Sequence, residues 1–509
     1  MLEAVLALPI WALITIPPTL YILSAVLLAL IDPLRHIPGP FLARFTRAWY
    51  FWEIWKGSYE RTNLQLHARY GPIVRIAPRE YSIDDVNAAK VIYSSGSNFV
   101  KAPWYYASQF PVPNLFSDLN PHRHSQDRRK VSSYYSMSSL VGYEGYVDNC
   151  TELISRRFGE LAGSGTTVDM LHWLQCYAID VIGEMTFGQR FGFLEMGEDK
   201  HGVFKAIDFV MWYATFAGIW SWVHAWVFPL LPKSGGPLYV RDFANNKIEE
   251  KTKVLKDPRN GGTEEKGTPD MMTRILIAVE KNPEKITKED LALACESNVG
   301  AGSDTTAISL SSMLYHLLKY PATLQKLREE IETAAKEGRV SDPITFKEAQ
   351  GLRYLQAVIK EGLRVHPAVG LGLQRSVPAE GTTILGEFIP GGSTVGINAY
   401  VAHQNTSVWG SDADTWRPER WLEIEEQGRG GDVEKYFFSF GMGSRTCIGK
   451  NISLLEISKL IPQLVRKFDF ELDQDVERNG GLVTLNRWFV KQKNFRVRVL
   501  GRRDERKIE

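Results

Sequence analysis

Cysteine is scarce in this chain: four thiols, Cys150, Cys176, Cys295 and Cys447, are scattered through 509 residues. That spacing excludes the disulfide framework of a small secreted fold, offers no paired-cysteine zinc motif, and fits a reducing, cytosol-facing compartment. Net charge is nearly absent too, at +1 from 60 basic and 59 acidic residues. Nucleic-acid-binding domains carry a clustered basic face, so no nucleic acid is expected as a partner. No internal repeat and no linker-like stretch between domains is present. The longest polar interruption, Lys247 to Asp270, reads as a solvated surface loop. The chain therefore reads as one large unit.

Charge is missing altogether from Ala4 to Ile31. A run of this kind is long enough to cross a bilayer, which takes about 20 apolar residues. Pro9, Pro17 and Pro18 interrupt it, but transmembrane helices tolerate proline better than soluble ones. A cleaved signal peptide fits less well, because the amino end lacks a basic region and the run is too long. The expectation is an uncleaved anchor over 4–31 with the amino end lumenal, since Arg35, His36, Arg44 and Arg47 follow it. The segment 32–40, with Ile37-Pro-Gly-Pro40, is too rich in proline for regular helix and should separate the anchor from a body over 41–509. A second uncharged stretch, Phe209 to Pro232, carries Trp212, Trp220, Trp222 and Trp226. It reads as a surface hairpin lying in the membrane interface, with an ordinary core helix as the competing reading for its first half.

The chemistry gathers near the carboxyl end. Cys447 lies in Phe440-Gly-Met-Gly443-Ser-Arg445-Thr-Cys447-Ile-Gly449, one thiol framed by glycines, an aromatic and an arginine. Glycine lets backbone approach a flat ligand, and arginine offers a fork of donors to a carboxylate. A helix is expected from Ile452 to Phe468, which would place the thiol just before a helix N-terminus that favours negative sulfur. An isolated cysteine is most often a buried structural thiol; the surrounding offsets favour a metal ligand. Upstream, Ala301-Gly302-Ser303-Asp304-Thr305-Thr306 sits inside the helical pattern Leu291–Tyr320, where such residues are poor helix formers and predict a local bulge or kink. Glu361 and Arg364 share one face of a helix expected over Leu352–Val365 and stopped by Pro367. Tyr70–Pro78 and Glu80–Ile83 read as an early sheet.

The loop F-x-x-G-x-R-x-C-x-G, the segment Ala301–Thr306, Glu361-x-x-Arg364 and Pro418-Glu419-Arg420-Trp421 stand in the order seen in the cytochromes P-450, and the chain resembles that family over roughly its last third most strongly. The resemblance implies a mainly α fold with small β-sheets, a single catalytic domain, and haem b ligated by the Cys447 thiolate. It implies that Phe440, Gly443 and Gly449 shape the loop. Arg445, Arg128, His124 and Arg375 would meet the haem propionates. Thr305 would orient oxygen and water on the distal side, and Asp304 would relay protons. Glu361, Arg364 and Arg420 would form a buried network behind the cysteine loop; Trp421 replaces the commoner phenylalanine there.

Smaller likenesses, Phe99–Tyr105, Tyr135–Ser138 and Trp409–Asp414, point to fungal members of the pisatin demethylase-like and benzoate 4-monooxygenase-like branch. The implied enzyme is a monooxygenase of the endoplasmic reticulum membrane, single-pass, with a cytosolic catalytic domain. It would oxidise a small hydrophobic fungal secondary metabolite of terpenoid, polyketide or aromatic type. Electrons would come from NADPH–cytochrome P-450 reductase, with cytochrome b5 as a further donor, docking near Arg129, Lys130 and Lys450. Phe110–Phe116, Ala368–Leu373 and the Trp-rich hairpin would shape the pocket. A haem-thiolate isomerase or lyase working without O2 is the rival class; such members often lack the acid–threonine pair.

Overall fold

The computed structural model describes residues 9–110, 112–231, 238–256, 268–478 and 480–502. Residues 4–8 of the expected anchor, 257–267 of the polar stretch and 232 of the Trp-rich segment lie outside them. Helix α1 (Ile10–Ile31) carries no charge and contains Pro17 and Pro18. Apolar side chains stand out from it on several sides, Leu20 and Ile22 each 60 % exposed. Among the described residues no helix is long and apolar enough to cross a membrane, so they do not contain the anchor expected over 4–31.

The segment after α1 does not hang free. Leu34 and Ile37 are buried. Strand β1 (Ile73–Ala77) offers the Arg75 N–H to Pro38 O at 2.8 Å. The buried Arg75 guanidinium reaches back to Asp32 at 2.7 Å and donates to Leu34 O at 2.6 Å. A side chain on Gly39 would meet Arg75 O at 2.3 Å, so only glycine fits this close approach.

Strand β1 pairs antiparallel with β2 (Glu80–Ile83). It is shorter than the sequence pattern at both ends, because Gly71 and Pro72 turn the chain before it and Pro78-Arg79, with Arg79 at φ +58°, turns it after. With β3 (Val100–Lys101), β4 (Arg375–Ser376) and β5 (Thr394–Gly396) they form a mixed sheet in the order β1-β2-β5-β4-β3. Its outer pair sets Lys101 directly opposite Arg375.

The helices make the larger core. Helix α2 (Pro121–Val131) is capped by Asn120, whose side chain accepts from the N–H groups of His122 and Arg123. Helix α3 (Met170–Phe187) is almost wholly buried, and α4 (Val203–Ala217) begins the Trp-rich segment. After α4 the chain continues as short helical turns through Leu230. Trp222 and Trp226 are exposed, Trp226 at 75 %, and Leu230 is 82 % exposed. The first half of the segment is partly core, since Tyr213, Ala214, Thr215 and Phe216 are buried. The core-helix reading therefore holds for the first half; the second half is a run of helical turns rather than a hairpin. Arg47 ties it to the sheet, pairing with Glu80 at 2.6 Å and donating to Ile219 O at 2.7 Å.

Helix α5 (Lys288–Lys319) crosses the molecule beside α3. A reciprocal cap opens it: Thr287 accepts from the Asp290 N–H, and Asp290 accepts from the Thr287 N–H. The bulge expected at 301–306 does not occur, and α5 is continuous through it. Neighbouring elements absorb the polar side chains that would otherwise compete with the helix backbone: Asp304 bonds to Gln175 and Lys491, and Thr306 to Ser453. Helix α6 (Arg353–Val365) stops ahead of Pro367 as the sequence predicts. A hairpin of β6 (Thr484–Arg487) and β7 (Phe489–Gln492) closes over the chain from its carboxyl end. Helix α7 (Lys450–Lys467) starts three residues after Cys447.

Candidate active site

The cysteine loop is held from three sides. The Cys447 N–H donates to Phe440 O at 2.8 Å, and the Thr446 N–H to Gly443 O at 3.1 Å. Gly443 has φ +62° and lies so close to the Tyr93 carbonyl that an added Cβ would sit 1.9 Å from it. Gly449 is different: a Cβ there would meet only the Cys447 sulfur, at an ordinary 3.9 Å. Cys447 sits deep in the protein while its side chain stays reachable from one side. Desolvation raises its thiol pKa; the Gly449 and Lys450 N–H groups, with the charges of Arg128 and Lys450, oppose the rise. The start of α7 thus supplies the donors that a thiolate needs.

Behind the loop lies a buried ionic network. Glu361 grips Arg364 through two bonds, at 2.7 and 2.8 Å. It also accepts from the Arg417 N–H at 2.9 Å and the Trp421 indole N–H at 2.9 Å, with Arg420 Nε 3.5 Å away. Trp421 is therefore more than an aromatic substitute, because phenylalanine has no N–H to give. Arg364 donates to the carbonyls of His403 at 2.7 Å and Thr415 at 3.0 Å, and to that of Ala413. His403 completes the chain. Its Nδ1 faces Arg364 O at 2.9 Å and its Nε2 accepts from the Phe438 N–H at 2.8 Å, which fixes the tautomer with the proton on Nδ1. Burial holds its pKa down to about 3. Glu361 thus reaches the first residues of the cysteine loop through two side chains.

On the other flank, cations converge without enough anions among the described residues. Arg445, half-buried, has an Nη1 with no hydrogen-bond partner. Its pKa falls through desolvation and the nearby charge of Arg375, with Arg128 adding to the effect. His124 is buried, and desolvation with the charges of Arg445, Lys101 and Arg128 takes its pKa down to about 3. Lys101 belongs to the same group. It is buried, donates to Leu115 O at 2.9 Å and Phe116 O at 2.5 Å, and has its pKa pushed well down by burial and by Arg375 and Arg445. Asp118 is the nearby acid, and it is spent on Arg123 at 2.7 Å. Buried cations crowded against one another, with a free guanidinium N–H among them, fit a ligand bearing carboxylates. The expected Arg445, Arg128, His124 and Arg375 are thus brought together; Lys101 joins them, a lone lysine that no motif in the sequence marks.

Ala301 and Thr305 are accessible in a stretch of α5 that is otherwise mostly buried. The Thr305 hydroxyl donates to Ala301 O at 2.8 Å. Its proton is thereby committed, and its lone pairs remain to accept from a donor on that accessible side. Asp304, one residue earlier, points elsewhere. It is fully buried, accepts from Gln175 Nε2 of α3 at 2.6 Å, and pairs with Lys491 Nζ of β7 at 2.6 Å. The Thr306 hydroxyl meets that of Ser453 in α7 at 2.8 Å, which fixes this stretch of α5 against the helix that follows Cys447.

An aromatic group lies alongside. Trp488, at the tip of the β6–β7 hairpin, has φ +74°, rare for a bulky side chain. It stacks on Trp104 at 4.5 Å and meets Phe116 edge-on at 5.7 Å. The Gly370 N–H donates to Trp488 O at 2.9 Å, so the 368–373 segment and the hairpin are knitted together. Of the expected docking cations, Lys130 is held between Asp127 and Asp290, each at 2.9 Å, and is not free for a partner. Arg129 and Lys450 are exposed.

Comparison with known proteins agrees with this geometry. The family model described as Cytochrome P450 matches residues 43–495. A pisatin demethylase of Fusarium vanettenii is 40 % identical over 465 residues, 90 % of this chain and 87 % of that protein. A cytochrome P450 monooxygenase of Aspergillus terreus is 38 % identical over 477 residues, 90 % of this chain and 94 % of that one. Another, from Emericella nidulans, is 38 % identical over 488 residues, covering 93 % and 95 %.

Proposed function

The chain belongs to the cytochrome P450 family, as a monooxygenase that carries haem b on a cysteine thiolate, and we propose that Cys447 is that ligand. The observation that carries the assignment is the crowding of Lys101, Arg128, Arg375 and Arg445 beside the Cys447 loop, with His124 held neutral among them and, among the described residues, too few acids to balance them. When bound, the haem supplies oxygen activation and the oxidising equivalent, and the protein supplies binding, orientation and proton control. The α7 N-terminus and the loop N–H groups would hold the sulfur as thiolate. The cation group would take the propionates. Thr305, its own proton given to Ala301 O, would accept from and orient a protonated species or water on the distal side. Asp304 would supply protons after leaving its present partners.

The substrate in this reading is a small hydrophobic secondary metabolite. Members of the family from fungi, one named for pisatin demethylation, support that class. Tyr105, Phe116 and Trp488, a joined set of rings, suit a compound with flat apolar surface. Electrons would come from NADPH–cytochrome P450 reductase, with cytochrome b5 as a second donor, at a face including Arg129 and Lys450. The enzyme would sit on the endoplasmic reticulum membrane. Support comes from the uncharged α1 and from Phe41, Trp222, Trp226 and Leu230, all exposed.

The test is the reduced carbon monoxide spectrum. Wild-type protein should show the long-wavelength band of thiolate ligation, and Cys447→Ala should lose it. A retained band in the variant rejects the assignment.

A further inference from the structure

Helix α7 carries Ser453, Glu456 and Lys459 at successive turns along one flank. The outer two are tied. Ser453 shares a hydroxyl bond with Thr306 of α5 at 2.8 Å. Lys459, fully buried, pairs with Glu144 at 2.7 Å and Asp148 at 2.8 Å, both on the helix Glu144–Leu161. Glu456, between them, has no exposed surface, and neither of its carboxyl oxygens has a hydrogen-bond partner. It has no part in the site at Cys447 as described above.

The surroundings of Glu456 accept one form only. Cys150 of the helix Glu144–Leu161 and Tyr177 of α3 are close enough to feel its charge. The Thr151 hydroxyl gives its proton to Val147 O at 2.9 Å, so its 3.1 Å contact with Tyr177 takes the Tyr177 proton. Neither hydroxyl has a proton left for a carboxylate, while each keeps a lone pair for an acid O–H. The ionisable groups nearby offer no counter-charge. Glu144 and Asp148 are themselves acids, and Lys459 is spent on both. On α3, Asp180 holds the N–H groups of Phe191 and Leu194, and Glu184 holds Arg190 at 2.6 Å. On α5, Asp304 is spent on Lys491. Burial pushes the Glu456 pKa well above the ordinary carboxyl value, and among the described residues no cation opposes the rise. A water beside it would solvate the acid without supplying the missing positive charge.

We propose that Glu456 is a proton-gated support of the Cys447 seat: the folded protein holds it as the neutral acid, and its ionisation at raised pH is what frees α7 and the loop before it. The part concerning Cys447 rests on the reading of that residue as haem ligand; the protonation of Glu456 does not. Below about pH 4.5 the folded and unfolded chains both hold this proton. Above it the unfolded chain gives the proton up and the folded chain keeps it, so stability falls as pH rises until the folded form ionises too. A bare charge then stands between Ser453 and Lys459, where α7 packs on α5 and on the helix Glu144–Leu161. The end of α7 that backs Cys447 loses its mount with that packing.

The experiment uses the full chain with haem. Glu456→Gln copies the shape of the neutral acid and cannot ionise. Wild-type protein at pH 7.5 should show a carboxylic-acid carbonyl band in the infrared, displaced in D2O, that is missing from the Gln variant. The apparent melting temperature of the variant relative to wild type should rise by several degrees between pH 5 and pH 8. Loss of the carbon monoxide band at pH 9 should be slower in the variant, by about threefold or more. Glu456→Met, apolar and of similar length, should follow the Gln variant in all three. The proposal is overturned if the infrared difference lacks that band, or if the melting difference does not change with pH. It is overturned as well if neither variant folds, since that result requires an ionised and paired Glu456. An unchanged rate of carbon monoxide band loss overturns the link to Cys447. Should Cys447→Ala keep the carbon monoxide band, the fault lies with the ligand assignment, and the infrared and melting results still decide the protonation.

Discussion

Thr306 and Ser453 share a hydrogen bond of 2.8 Å between two helices that are 147 residues apart in sequence. It joins α5, whose Thr305 and Ala301 are accessible, to α7, whose N-terminus backs Cys447. The two sides of the site are therefore registered against each other by protein alone.

Gly443 is the loop residue whose replacement should be most damaging. Gly443→Ala must place a methyl against the Tyr93 carbonyl at φ +62°, a conformation already costing ~1 kcal/mol for alanine before the clash. We expect Gly443→Ala to be recovered without haem or not at all. Gly449→Ala, with only an ordinary sulfur contact, should bind haem and keep the thiolate spectrum. Equal haem content in the two variants contradicts this.

Trp421→Phe should separate the aromatic role from the donor role. It removes one N–H from the buried Glu361 carboxylate, a loss of about 2 kcal/mol for a bond to a charged group. Apparent melting temperature should fall, and haem should be lost faster because Glu361 supports the loop through Arg364 and His403. If phenylalanine is as stable as tryptophan, the indole bond carries no weight.

Thr305→Ala should uncouple the enzyme. Product per NADPH should drop by on the order of tenfold while peroxide rises and the carbon monoxide band remains, because proton delivery loses its acceptor and not its site. Thr305→Ser keeps the hydroxyl and should recover most of the coupling. Unchanged product per NADPH in the alanine variant would rule out this role.

Acid should weaken the fold in a defined window. His316 and His403 have folded pKa values lowered to about 3, and His366 to about 4, in each case chiefly by burial. Their unfolded value is near 6.5, so below it the unfolded chain binds protons that the folded chain refuses, and stability is lost as pH falls. Each contributes about 1.4 kcal/mol per pH unit between roughly 6.5 and its folded value. Apparent melting temperature should decline from pH 6.5 toward 4, and His366→Gln should flatten the decline. A level profile across that range contradicts the assignment of these histidines as buried and neutral.

Local pattern made much of this molecule readable. The cysteine loop, the Glu361–Arg364 pair and the helix ends near Pro367 are sequence-local, and the structure places them as the chain implies. Asp304–Thr305 shows the opposite case. Weak helix formers in a row predicted a bulge, yet α5 runs straight, because Gln175, Lys491 and Ser453 arrive from 129, 187 and 147 residues away. No window on the chain contains those partners. His403 and Lys101 escaped notice for the same reason: one is a lone histidine and the other a lone lysine until the fold surrounds them.

The ion pair between Asp32 and Arg75 decides where this protein can be cut. Removal of residues through 31 leaves Asp32, Leu34 and the Pro38–Gly39 approach in place on β1. Removal of a few more takes Asp32 from a buried guanidinium, at ~3 kcal/mol, and opens the sheet edge that Pro38 was covering. The proline-rich segment is thus the first structural course of the catalytic body. Whatever lies before it joins the body at a point held by a strand of the body's own sheet.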